Sequence, residues 1–305
     1  MTTLVFGHKN PDTDSITSTL VMTDLQTKLG MDVKACRLGE LNKETQYILN
    51  YFSVEAPELI DGVTEADEVI LVDHNEFNQS ATGIEKATIK MVVDHHRIAN
   101  FQTSEPLFYR AEPVGCTGTI LYKMYKENNV EIDAKMAGLM ASAIISDSLL
   151  FKSPTCTPQN EKACRELAEI AGLEVETYGL EMLKAGTDLS DLTAGQLLGI
   201  DAKVFPMGAS TVEIAQINVV SIEDMMTRKA ELEAEMKSII DEKGLNLFVA
   251  VITDILNSNS QIIALGERTD IVEKAFNVEL TENTTLLEGV VSRKKQIVPV
   301  MDRIA

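Results

Sequence analysis

Four short runs rich in β-branched and apolar residues, at 4–6, 33–38, 69–72 and 89–93, alternate early in the chain with longer segments of helical pattern. That alternation is the mark of a parallel sheet with crossover helices. Between the first two runs, 15–29 has the spacing and composition of a helix, and Gly30 is placed to cap its C-terminus. The opening unit is therefore β, then α, then β.

Helices are expected next at 117–126, 134–145, 158–171 and 176–184, the third with Thr157 as N-cap and Pro158 in its first turn. The segment 186–192 is short, polar and without a sustained period, which makes it a connector. Domains are thus expected at 1–187 and 195–305, joined by a linker at 188–194. In the second we expect a strand at 212–220, one long charged helix at 222–242 opened by Ser221 and Asp224 and closed at Gly244, strands at 247–253 and 261–265, and a helix at 270–276. With 305 residues, 45% of them hydrophobic, the chain can bury two cores. The fold class that follows is α/β: an N-terminal parallel-sheet domain and a smaller C-terminal mixed-sheet α/β domain. No internal repeat or low-complexity tract is visible.

Charge limits the partners. With 27 basic against 47 acidic residues and a formal charge of −20, the surface opposes nucleic acid and anionic membranes, and an anionic substrate would need cations at its site. No run of about 18 apolar residues and no signal pattern occurs, so a cytoplasmic location is expected, with no membrane partner. Cys36, Cys116, Cys156 and Cys164 lie in unrelated contexts, which suits a reducing compartment.

All four histidines, His8, His74, His95 and His96, lie beside or near an aspartate. His8 follows the first strand, Asp73 and His74 the third, and Asp94, His95 and His96 the fourth. Each group leaves the carboxyl end of an expected parallel strand, where open α/β sheets gather ligands. Mixed nitrogen and oxygen donors suit manganese, cobalt, iron or zinc better than magnesium alone. If the opening loop Gly7-His8-Lys9-Asn10-Pro11-Asp12-Thr13-Asp14-Ser15 is extended, its alternate residues point to opposite sides, so that His8, Asp12 and Asp14 could serve different ions and Asp73 could bridge them. Asp147 stands where an apolar helix ends abruptly in small polar residues. Far along the chain, Ser292-Arg293-Lys294-Lys295-Gln296 concentrates basic charge suited to phosphate oxygens, and Lys203 follows the connector.

Together Gly7 to Ser15, Asp73-His74-Asn75-Glu76, Asp94-His95-His96 and the 292–296 string resemble the family II inorganic pyrophosphatases of the DHH phosphoesterase superfamily. The triplet alone would point only to the superfamily; the C-terminal string separates pyrophosphatases from relatives with a glycine-rich, histidine-containing motif there. The resemblance implies a DHH-type N-terminal domain and an active site in the cleft between the two domains. It implies one metal held by His8, Asp12, Asp73 and Asp147, and a second by Asp14, Asp73, His95 and Asp147. It further implies phosphoryl contacts from His96, Lys203, Arg293 and Lys294, two Mn2+ or Co2+ per subunit, Mg2+ with the pyrophosphate substrate, and a homodimer built through the N-terminal domain. The short interval between Asp73 and Asp94 leaves no room for the nucleotide-binding insertion of some members.

The expected reaction is hydrolysis of pyrophosphate to two phosphates. Two ions roughly 3.5–4 Å apart can share a water, lower its pKa towards about 7 and align it with phosphorus. Asp14 is a candidate to accept the proton released, with Arg293 and Lys294 neutralising the leaving phosphate. The rivals are a DHH-type phosphodiesterase or exopolyphosphatase, and a metal-dependent sensor that binds a phosphorylated ligand without turnover.

Overall fold

β1 (Thr3–Phe6), the first expected strand, lies in the middle of a six-stranded sheet. In the computed structural model, which describes residues 2–305, the chain continues through α1 (Thr13–Lys28), β2 (Val33–Arg37), α2 (Lys43–Phe52), β3 (Glu58–Leu59), β4 (Glu68–Val72), β5 (Thr88–Asp94) and β6 (Phe108–Ala111). Four helices follow: α3 (Thr117–Glu127), α4 (Ala134–Ser148), α5 (Pro158–Ala171) and α6 (Val175–Gly186). The strand order is β3-β2-β1-β4-β5-β6 and every pairing is parallel. The order reverses between β1 and β4, the topological switch point at which such sheets open a crevice at their carboxyl ends. Helical cover explains the composition of the central strands. Val5, Phe6 and all of 69–72 are fully buried, as strands shielded on both faces must be.

α1 begins earlier than its expected start because Asp12 caps it, its Oδ1 accepting from the Ser15 N–H at 2.9 Å. Asp14 is consequently helical. An extended stretch carrying alternate ligands to opposite sides is not what forms; the cap and the first turn separate Asp12 from Asp14 instead.

The chain divides into two compact units, Met1–Gly186 and Thr187–Ala305. The second runs through α7 (Ala194–Gly199), β7 (Ala202–Met207), β8 (Ser210–Val219), α8 (Ile222–Met226), α9 (Lys229–Lys243), β9 (Leu247–Asp254), β10 (Asn259–Gly266), α10 (Asp270–Phe276), β11 (Thr284–Glu288) and α11 (Val298–Asp302). Its sheet order is β11-β10-β9-β8-β7, with β8 and β9 parallel and the other pairs antiparallel. The sheet is mixed, as expected. Leu189 and Leu192, from the polar connector, pack against this unit's core.

The single helix expected at 222–242 is two. Ser221 caps the first by accepting from the Asp224 N–H at 3.1 Å, but the chain leaves helical geometry at Arg228 (φ −95°, ψ 8°). There the guanidinium donates to the carbonyls of Leu189 (3.2 Å) and Leu192 (2.8 Å). α2, α7, α11 and the edge strands β3, β6, β7 and β11 carried no recognised signal; Pro206 in β7 is tolerated because an edge strand need not donate every N–H. Among the described residues no helix is long and apolar enough to cross a membrane.

Candidate metal centre

Three strand ends at the switch point supply the first donors. After β1, the chain passes through Gly7, where a Cβ would lie 1.9 Å from Ser15 Oγ, so only glycine lets α1 close this tightly on the strand. His8 Nδ1 lies 2.7 Å from the Lys9 carbonyl oxygen, and its Nε2 is 3.5 Å from Asp12 and 3.4 Å from Asp73. After β4, Asp73 adopts φ +58° while its N–H still donates to the Val93 carbonyl at 3.0 Å. Aspartate is among the few side chains that tolerate this left-handed conformation. After β5, His95 Nδ1 lies 3.1 Å from the Val114 carbonyl oxygen, and its Nε2 lies 3.3 Å from Asp73, 3.8 Å from Asp147 and 3.9 Å from Asp14. An Nδ1–H donated to a carbonyl leaves Nε2 as the free donor atom in both histidines, the arrangement that orients an imidazole for a metal.

Helix ends complete the site. The N-terminus of α3 grips Asp14: the N–H groups of Thr117 and Gly118 donate to its two oxygens at 2.6 and 3.2 Å, with the Ser18 hydroxyl adding a third bond at 2.7 Å. Thr117 Oγ1 donates to Asp73 at 3.1 Å. Asp147 sits in the last turn of α4, after which Leu149, Leu150 and Phe151 all adopt positive φ and turn the chain sharply away.

Among the described residues, three sets of ligand atoms lie within 4.8 Å of one another: His8, Asp12 and Asp73; Asp73, His95 and His96; and Asp14, Cys116 and Asp147. Asp73 is common to the first two. Burial and the neighbouring Asp73 push Asp14 up to about 7, and burial with Asp14 beside it raises Asp147 well above the carboxylate range. Burial also opposes ionisation of Asp73, yet hydrogen bonds from His8 and His95 hold it low. Those histidines respond in kind. Burial works against protonation, but Asp12 and Asp73 carry His8 up to about 11, and Asp73 and Asp14 carry His95 up to about 9. Crowded carboxylates backed by imidazole nitrogens form a donor set that divalent transition-metal ions fit, since cations relieve the repulsion among the acids. A cavity of about 330 Å³, lined by Asp12, Asp73, His95, His96 and Asp147 with Val114, Gly115 and Thr155, stands over the donors.

Not every residue of the motifs takes part. His74 is buried, with its ring nitrogens 2.9 Å from the Val72 carbonyl oxygen and 2.9 Å from Ser80 Oγ; burial lowers it to about 4, so it is a neutral structural residue. Asp94 accepts from the backbone and Nδ1 of His96, at 3.0 and 2.9 Å, and so orients that half-exposed ring. In the second unit, Lys203 on β7 and Lys294 are exposed. Arg293 is buried, opening a π-helical turn (Arg293–Ile297), and its guanidinium donates to the Asp201 carbonyl, to Asp201 Oδ1 at 2.6 Å and to the Ile214 carbonyl at 3.2 Å.

The DHH family N-terminal domain matches residues 2–144, and the DHHA2 domain matches 180–304. The manganese-dependent inorganic pyrophosphatase of Bacillus subtilis is 60% identical over 299 residues, covering 98% of this chain and 97% of its own. A probable manganese-dependent inorganic pyrophosphatase from an Exiguobacterium species is 62% identical, covering 100% and 99%. The crystal structure of a Methanococcus jannaschii putative family II inorganic pyrophosphatase covers 100% of this chain and 99% of its own, at 38% identity and a TM-score of 0.62. The chain belongs to the family II inorganic pyrophosphatases. As a family II pyrophosphatase chain it shows, beyond the expected residues, Cys116 as the N-cap residue of α3, fully buried, its thiol raised by burial and by Asp14. The start of α3 was legible; that its backbone N–H groups face Asp14 was not, because backbone donors leave no side-chain signature.

Proposed function

We infer that this chain hydrolyses inorganic pyrophosphate to two phosphates with manganese at the strand-end site. What carries the reading is full-length similarity to manganese-dependent pyrophosphatases, together with His8, Asp12, Asp14, Asp73, His95 and Asp147 meeting at one switch point. We assign one ion to His8, Asp12, Asp73 and Asp147 and a second to Asp14, Asp73, His95 and Asp147, with manganese or cobalt as the resident pair and magnesium accompanying substrate. When bound, such ions supply Lewis acidity to phosphoryl oxygens and make a water acidic enough to attack at neutral pH.

The protein's own groups do the rest. Asp94 holds Nδ1 of His96, which leaves the ring's Nε2 edge for a phosphoryl oxygen. Lys203 and Lys294, exposed and cationic, neutralise phosphoryl oxygens together with Arg293. Asp14, held by the Thr117 and Gly118 N–H groups and pushed by burial and Asp73 up to about 7, is placed to take up the proton released on attack. The reading includes a cytoplasmic homodimer formed through the first unit, where β6 leaves a sheet edge unpaired, and no nucleic-acid partner, in keeping with the charge of −20.

Phosphate release from pyrophosphate after manganese loading tests it. Rapid cleavage of a dinucleotide or long polyphosphate with none of pyrophosphate would reassign the substrate, and tight ligand binding without turnover would make the protein a sensor.

A further inference from the structure

Glu44 is a half-buried carboxylate outside the donor set. It lies in the first turn of α2, a helix opened by Asn42, whose side chain accepts from the Thr45 N–H at 2.7 Å. Glu44 Oε1 accepts two hydroxyl hydrogen bonds, from Thr13 Oγ1 at 2.6 Å and from Ser146 Oγ at 2.5 Å. Thr13 separates Asp12 from Asp14, and Ser146 immediately precedes Asp147. A single oxygen thus ties the start of α1 to the end of α4, the two helix ends that carry three of the acids.

The surroundings hold Glu44 in that role. Thr13 Oγ1 also lies 3.2 Å from Thr45 Oγ1, so the start of α2 leans on the same hydroxyl. Gly186, at the end of α6, closes the far side: a Cβ there would lie 2.9 Å from Glu44 Cβ and 3.0 Å from its Oε2. Enclosing a carboxylate is costly unless hydrogen bonds compensate, and here both bonds go to segments bearing metal donors.

We propose that Glu44 is a positioning residue for the metal centre: its Oε1 sets the spacing of α1 against α4, so that Asp12, Asp14 and Asp147 converge before cations bind. The proposal rests on the metal-site assignment above. Outer hydrogen-bond partners of metal ligands typically govern affinity by about 10–100-fold. Glu44→Ala should therefore weaken Mn2+ binding by about that factor, read by competition with a chelator of known affinity. Glu44→Gln keeps the accepting oxygen and removes the charge, so it should bind within about threefold of wild type, a small fraction of that effect. Should Glu44→Ala fail to fold, Ser146→Ala removes one of the two bonds and should weaken binding about fivefold.

Thermal melting of the metal-free variants accompanies each measurement. A merely structural glutamate would lower the melting temperature and leave the Mn2+ dissociation constant alone. Wild-type affinity in Glu44→Ala, or a Glu44→Gln variant as weak as the alanine, overturns the proposal. Asp147→Ala separates the two levels. If it binds Mn2+ like wild type, the site assignment fails; if it loses Mn2+ while Glu44→Ala keeps it, only the positioning role fails.

Discussion

Asn75→Ala should loosen the loop that carries both histidines of the DHH triplet. Asn75 is 1% exposed, and its amide has one consistent orientation: Nδ2 donates to Asp94 Oδ2 at 2.6 Å and to the Arg97 carbonyl at 2.8 Å, while Oδ1 accepts from the Ala99 N–H at 3.0 Å. Two of the bonds are neutral, at about 1 kcal/mol each, and the bond to an ionised carboxylate contributes about 1.5–3. Allowing for relaxation of the loop, the loss is about 3 kcal/mol, or roughly 6–12 °C in the melting of a unit this size. Asp94 would be left fully buried with no donor to Oδ2, and its hold on His96 would slacken, so phosphate release should fall with stability. Asn75→Asp is the sharper variant. It fills the same volume but sets a second carboxylate against Asp94, and should be worse than alanine at neutral pH. Calorimetry of the metal-free protein reads both. An alanine variant melting within about 1 °C of wild type, or an aspartate variant that equals wild type, would refute the clamp.

Asp133→Ala removes the N-cap of α4, where the carboxylate accepts from the N–H groups of Lys135 and Met136, both at 3.0 Å, and should cost about 1 kcal/mol at neutral pH. Burial opposes ionisation, but Met136 and Lys28 hold Asp133 below the usual carboxylate range; its stabilisation is present above the unfolded pKa and lost as pH falls through the folded one, so the difference from wild type should close in acid. Mn2+ at a hundred times its dissociation constant should stabilise the fold by about 2.7 kcal/mol per independent site, seen as a concentration-dependent melting temperature; an unchanged melt would contradict the donor set. Lys294→Ala should lower turnover with melting unchanged, within about 0.5 kcal/mol. Arg293→Ala should lower both, because it strips two carbonyls and Asp201 of their donor, at about 2–4 kcal/mol; equal melting of the two variants would refute that distinction.

The contrast between those two neighbours marks where the sequence stops being informative. His8, Asp73 and His95 could be placed because each follows a recognisable strand, and parallel α/β sheets direct strand ends to one crevice. Asp147 was conspicuous as an acid closing an apolar helix, a conflict between local pattern and residue type. By contrast, the break in the helix expected at 222–242 comes from carbonyls at Leu189 and Leu192, more than thirty residues away in the chain, with nothing at Arg228 itself to announce it. Arg293 and Lys294 look interchangeable in a basic string, yet one guanidinium is spent on Asp201 and Ile214 while the ammonium beside it is exposed. Side-chain chemistry lists what a residue can bind; which donors remain for substrate depends on the backbone carbonyls that the fold brings near, and those have no residue code. A basic string in sequence is thus evidence for local charge, and the carbonyls and carboxylates that the fold brings to each side chain decide which of those charges is already engaged.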